Sequence, residues 1–307
     1  MKLIEQSYEI YKSQGVLKDI EIAARTCYNS QDRISENNDS AIKLVKNLVE
    51  RKHYAMIEFG ENIIFEVFNH EDFILSMLSL GLAHELKFIN ISMDGRLVIS
   101  MNPRTAIEIY NKVPIDFSGF GNALLSDIEY YYGELIFNDE KISKFVTGIT
   151  LFIKLNEKDL TEIEKNIHKT VTIKIITDRG ISHELVRHRL CSFAQRSTRY
   201  VENKNDIQFI SPPWFNKMSK FGKTLFELTL KFIEENYKDF RNIHNWQKQE
   251  ARAILPNALA TEILIKATLQ EWKHIFDLRC ATDAHPQIVN LMSDIRDDFI
   301  ERKLIKI

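Results

Sequence analysis

The 307-residue chain has little cysteine: only Cys27, Cys191 and Cys280, far apart in sequence. They form no Cys-x-x-Cys pair, and an odd number leaves one unpaired, so a reducing compartment is the simpler reading. Excess charge is also missing. The formal net charge is −2 with 27% charged residues. A protein that holds nucleic acid by bulk electrostatics would be basic overall. No apolar run reaches the length of a membrane span. The opening MKLIEQSYEIYKSQG turns polar too soon for a signal peptide. The expectation is a cytoplasmic protein with neither membrane nor nucleic acid as partner. No Gly/Ser linker or low-complexity segment interrupts the chain. The 44% apolar content suffices for a buried core, read as a single domain over 1–307.

The pattern that is present predicts mixed α and β structure of the α+β class. Helices predominate, the C-terminal half is helix-rich, and the sheet is small and antiparallel. Residues 1–12 start with a short strand. Asp19–Tyr28 has helical apolar spacing. A second helix runs from about Ser40 to Lys52, with Asn38 or Asp39 as cap, because Ile42, Val45, Leu48 and Val49 recur at the helical interval. Strand-like runs follow at 62–68, 88–93 and 97–101, and helices at 70–80, 103–111 and 121–136. Lys154–Lys169 reads as a solvated helix or a loop. Thr170–Asp178 is rich in β-branched residues and is predicted as a strand. Ile181–Arg189 suits a short helix. Beyond the break at Pro212-Pro213, helices are expected at 217–236, 238–253, 257–280 and 284–304, the last starting near Asp283 and Pro286.

One stretch stands apart. Residues 187–200, RHRLCSFAQRSTRY, place four arginines, a histidine, two serines and a glutamine within fourteen positions. Arginine presents a planar fork of donors that matches phosphate oxygens and stays charged when partly buried. Serine hydroxyls and turn N–H groups can complete a phosphate cradle. Arg196 and Arg199 would share a face if that part is helical. On composition alone, a solvated basic turn paired with carboxylates competes with that reading.

The spacing carries more. Arg187-His188-Arg189, seven residues, Ser197, then Thr198-Arg199-Tyr200, with Ser192 in the gap, resembles the signature of the flavin-dependent thymidylate synthases. Ala23–Tyr28 is similar to an early segment of that family, and His53 to Glu58 to its His-x-x-x-x-Glu segment. Arg252–Pro256 and Leu278-Arg279 resemble its two later arginine sites. Residues 70–168 have no counterpart in short members and read as an elaboration.

The resemblance implies an enzyme that methylates deoxyuridylate (dUMP) to thymidylate. Methylenetetrahydrofolate would give the carbon, NADPH would reduce a bound FAD, and active sites would be shared between chains of a homotetramer. It places His53, Glu58, Arg187, His188, Arg189, Gln195, Thr268, Leu269, Gln270 and His274 at the flavin. It places Glu184, Arg187, Gln195, Arg196, Ser197, Thr198, Arg199, Arg252 and Arg279 at the nucleotide. Arg279 takes the catalytic role of favouring ionised uracil N3, which a fixed positive charge would do. No metal is implied, and His183, His188 and Cys191 fit no common zinc spacing. Four positions depart from the family pattern: Ala55 replaces a hydroxyl residue, Ala194-Gln195 an Asn-Glu pair, and Glu184 a glutamine. The rival reading from another class is a nucleotide- or RNA-binding module that uses the arginine turn without chemistry.

Overall fold

The computed structural model describes residues 1–68, 77–78, 81–82, 84–112, 132, 152–201 and 206–306. Their architecture is mixed helices and small antiparallel sheets. The helix expected at 121–136 and nearly all of that at 70–80 lie outside the described residues.

The first sheet has the order β2-β7-β10-β8 and is antiparallel throughout: β2 Ser7–Tyr11, β7 Thr170–Asp178, β8 Ser192–Gln195 and β10 Ala260–Thr268. Strand β7 alternates buried and half-buried positions along its whole length, the period that a strand imposes. It pairs with β10 over nine residues, from Asp178↔Ala260 to Thr170↔Thr268. Strand β10 corrects the helix expected at 257–280. It lies between β7 and β8 and is buried on both faces. A strand covered on both faces reads as a continuous apolar run, which cannot be told from a buried helix by period. Only Leu269–Arg279 of that span is helical.

The two faces of β10 serve different ends. Ile263, Ile265 and Ala267 join the core under Leu269–Arg279 and the last helix, Pro286–Glu301, with Trp272, Phe276, Met292 and Phe299. Leu264 faces the first helix, Val16–Tyr28, in a cluster with Ala23, Phe59 and Ala194. The small side chain of fully buried Ala23 lets that helix approach β8 closely. Lys266, two residues after Leu264, shares this face.

The second sheet, β4-β5-β3-β6, is also antiparallel: β3 Ile63–Val67, β4 Ile89–Met93, β5 Leu97–Met101 and β6 Phe152–Lys154. Of the described part of 70–168, strands β4, β5 and β6 extend β3 into this sheet. It is covered by helices Val16–Tyr28, Asp39–Glu50 and Pro103–Lys112. Buried His168 ends the helix Glu162–His168 and is held by the hydroxyls of Ser92 at 2.8 Å and Ser100 at 2.9 Å. A third, two-stranded element pairs β1 (Lys2–Ile4) with β9 (Gln208–Ile210) in parallel.

Other boundaries differ. Helices expected at 217–236 and 238–253 are one helix, Lys220–Asn242, and a short turn, Lys248–Ala251. The helix expected at Ile181–Arg189 is Arg179–Leu185, so the signature lies beyond its end. His285, not Asp283, caps the last helix through its ring nitrogen. Asn38 sits at the cap of Asp39–Glu50 without a side-chain capping bond. Among the described residues, no helix is long and apolar enough to cross a membrane.

Candidate active site

The signature leaves the helix Arg179–Leu185, turns, and re-enters the sheet as edge strand β8. Asp178 fixes the start of that helix by accepting from the Ile181 N–H at 2.7 Å, and its other oxygen accepts from Gln287 at 2.7 Å. Strand β8 answers to Ser192–Gln195, so Arg196 and Arg199 follow a strand and are not paired by helical spacing.

A cleft of about 820 Å³ opens where β8, the end of β10 and the helix Leu269–Arg279 meet the second sheet. Of the expected flavin residues, Glu58, Arg189, Thr268, Gln270 and His274 line it. Thr268 also caps the helix by accepting from the Glu271 N–H at 3.2 Å. Glu58 accepts from Ser192 Oγ at 2.7 Å and from Arg104 Nη1 at 2.6 Å. The other five expected flavin residues lie outside its lining. His53 is exposed after the helix Asp39–Glu50 and outside the cleft lining. Leu269 is buried in the core. Gln195 turns inward and donates to Ser182 Oγ at 2.8 Å and Thr261 Oγ1 at 3.2 Å. Arg187 is exposed at the helix end.

Behind the cleft lies a polar knot. Arg279 Nε donates to His188 Nε2 at 3.1 Å, Nη1 to Glu184 Oε2 at 3.1 Å and Nη2 to the Glu184 carbonyl at 3.0 Å. A guanidinium only donates, so His188 Nε2 is an acceptor and the network assigns the proton of the neutral ring to Nδ1. That nitrogen faces Glu271 at 3.8 Å. Burial, then the charges of Arg279 and His274, pull the His188 pKa down to about 4. His188 is therefore neutral at pH 7. The His188 and His274 rings meet edge to face at 5.9 Å. Ligand atoms of His188, Glu271 and His274 lie within 4.8 Å of one another. Arg279 already occupies one nitrogen of that group.

The second half of the signature builds a separate basic patch. Ser197 donates its N–H to the Cys27 carbonyl at 2.9 Å, which ties the loop to the first helix. Its hydroxyl accepts from the Arg199 N–H at 3.1 Å. Arg252 Nη1 reaches Thr198 Oγ1 at 3.4 Å, and Arg199 Nε donates to Gln249 at 3.1 Å. Arg196, Ser197 and Thr198 line a small hollow with Thr261. Burial lowers the Arg196 pKa, partly offset by Glu262. Arg179 belongs to the same patch. Burial and then the charge of Arg252 lower its pKa. Guanidinium groups gathered with hydroxyls are what a phosphate dianion needs.

The sequence reading missed three residues with roles here. Arg179 carried a signal only in its place beside the strand end. Lys266 was hidden in a strand read as helix. Arg104 lies in the elaboration, where no pattern pointed to chemistry. The thiols are not poised as nucleophiles. Burial pushes Cys27 up to about 11, raises Cys280, and raises Cys191 further still, the opposite of what an active thiolate needs.

Residues 165–302 match the family described as thymidylate synthase complementing protein. The flavin-dependent thymidylate synthase of Pyrococcus abyssi is 31% identical over 173 residues, covering 50% of this chain and 68% of that protein. The enzyme of the same description from Thermococcus onnurineus is 36% identical over 116 residues, covering 36% of this chain and 45% of its own length. The crystal structure of thymidylate synthase X from Helicobacter pylori with FAD and dUMP is 17% identical. It covers 42% of this chain and 66% of its own at a TM-score of 0.35, too distant to carry an argument.

Proposed function

The chain belongs to the flavin-dependent thymidylate synthase family, and on that premise we propose that it converts deoxyuridylate to thymidylate with a bound FAD. Methylenetetrahydrofolate is the carbon donor and NADPH the reductant, which makes it a methyltransferase. The observation that carries the reading is the convergence on the signature. Glu58 and Ser192 meet in the cleft, while Arg279, Glu184 and His188 interlock behind it, although these residues come from three distant parts of the chain.

The cleft fits a flavin on its own features. Its volume of about 820 Å³ lies within the range of ligand sites, roughly 300–1,000 Å³. Arg189, Gln270 and His274 offer donors, with Ala267 and Leu190 as apolar surface. The chemistry a bound FAD supplies is hydride transfer, and the protein's part is placement and electrostatics. Arg196, Ser197, Thr198, Arg199 and Arg252 hold the nucleotide phosphate. Arg279 presents its charge to the uracil ring and favours the N3 anion. Glu184 keeps that guanidinium aimed, and neutral His188 receives its Nε–H. Arg187, exposed beyond the helix end, is left to contact either ligand.

The protein assembles with copies of itself as a homotetramer. The helix Lys220–Asn242 supports this. Phe221, Leu225, Leu228 and Phe232 recur at coiled-coil spacing and are 78%, 55%, 59% and 66% exposed. Such a stripe marks an interaction face.

The test is release of tritium from deoxyuridylate labelled at C5, with FAD, methylenetetrahydrofolate and NADPH supplied. A folded, FAD-loaded protein that releases none refutes the synthase reading and leaves the non-catalytic nucleotide-binding module.

A further inference from the structure

Resting on the flavin reading above, we propose that residues 88–104 form an added wall of the flavin cleft and that Arg104 is the positioning residue for Glu58. None of this segment lies within the span 165–302 that matches the family.

Both oxygens of Glu58 are engaged. Oε2 accepts from Ser192 of the signature at 2.7 Å, and Oε1 accepts from Arg104 at 2.6 Å. The carboxylate thereby bridges β8 to the helix Pro103–Lys112. Arg104 is itself held by Glu108, one turn along, at 2.9 Å. The approach of the two segments is built in by residue size. A Cβ on Gly60 would lie 2.7 Å from Pro103 Cγ and 2.9 Å from Val16 Cγ1. Neither contact is tolerable, so glycine lets Pro103 sit directly on the 58–60 segment. Arg104, the next residue, then falls within reach of Glu58. Proline suits the first helical position, and Asn102 precedes it as a cap, its Oδ1 accepting from the Thr105 N–H at 3.0 Å.

The same segment gives the cleft a surface of its own. Phe88, Asn90, Ile91 and Asn102 line it, opposite Arg189, Gln270 and His274. Strand β4 is an edge strand, so its rim is open to a ligand. Phe88 and Ile91 are 43% and 38% exposed. Two apolar side chains flanked by amides, facing donors across a cleft, form a slot for a flat heteroaromatic ring with a polar edge. The isoalloxazine of FAD has that character.

The experiment uses the full chain and measures FAD affinity by quenching of flavin fluorescence, with thermal melting by circular dichroism alongside. Arg104→Gln should weaken FAD binding about fivefold, the upper end of what losing one partly exposed ion pair costs. Arg104→Lys should recover most of it, because an ammonium can still meet Glu58. Phe88→Ala should weaken binding several-fold. In a Glu58→Gln background, Arg104→Gln should add nothing, since both changes break the same link. Equal losses from Arg104→Gln in the two backgrounds would overturn the positioning role. So would unchanged affinity while the wild type binds FAD. A wild type that takes up no FAD would overturn the flavin reading, and this proposal with it.

Discussion

Replacing Lys266 by methionine probes how the cleft floor is held. Lys266 is nearly fully buried, yet its ammonium donates to the Glu58 carbonyl at 3.0 Å, the Gly60 carbonyl at 2.6 Å and Asn62 Oδ1 at 2.7 Å. It clamps the segment carrying Glu58 onto β10. It also lies between the cleft and a second cavity of about 320 Å³, since Lys266, Asn62 and Thr170 line both. Burial pulls its pKa down to about 8 against attraction from Asp19, Glu58 and Glu61. Holding a lysine at about 8 in place of 10.5 corresponds to about 3 kcal/mol against the charged form. Methionine removes that penalty but strands three oxygens, at roughly 2 kcal/mol each. The net expectation is a loss of about 3 kcal/mol, a fall in Tm of roughly 5 °C for a chain of this size. Urea unfolding by circular dichroism at pH 7 measures it. FAD affinity should fall as well, because the 58–62 segment loses its tether. A variant as stable as wild type, with unchanged FAD affinity, would show that the clamp does not hold the site and would refute the reasoning.

Two further outcomes follow from the fold. His168 sits neutral between Ser92 and Ser100, with its pKa pulled down to about 4, first by burial. The unfolded chain therefore binds the proton more readily between pH 6.5 and 4, and stability falls as pH drops through that window. Between pH 7 and 5 this one residue should remove about 2 kcal/mol. His168→Gln should lose less over the same interval in urea titrations, and an identical pH slope would contradict the assignment. On the helix Lys220–Asn242, the double change Leu228→Glu and Phe232→Glu should reduce the assembled mass in analytical ultracentrifugation while helix content is kept. An unchanged mass would rule that stripe out as the contact.

Legibility in the sequence tracked how each residue's role is encoded. Strand β7 was readable to the residue because one face is more buried than the other, so Thr170–Asp178 alternates. Strand β10 was not, because both faces are covered and alternation vanishes. The strands at 88–93 and 97–101 were readable, but not that the second pairs with β3 and the first with the second. Pairing is a long-range event without local signature. In the site, the signature declared itself through fixed spacing, and its partner Arg279 through the Leu-Arg that resembles the family. Gln195 was placed among ligand contacts, whereas its amide is spent on Ser182 and Thr261. Side-chain direction at a strand end is set by the sheet, and the sheet was unforeseen there. Arg104 and Lys266 had no motif. Their roles depend on Gly60, Pro103 and Asn62 meeting in space.

The most direct test of the central claim compares tritium release from C5-labelled deoxyuridylate by the wild type and by Arg279→Ala, each loaded with FAD and followed by visible absorbance. The wild type should release tritium. Arg279→Ala should retain the flavin absorbance and lose the release if, as proposed, the guanidinium held by Glu184 and His188 acts on the uracil and not on the cofactor. Undiminished release by Arg279→Ala would contradict its role. No release by a wild type that carries flavin would contradict the synthase itself.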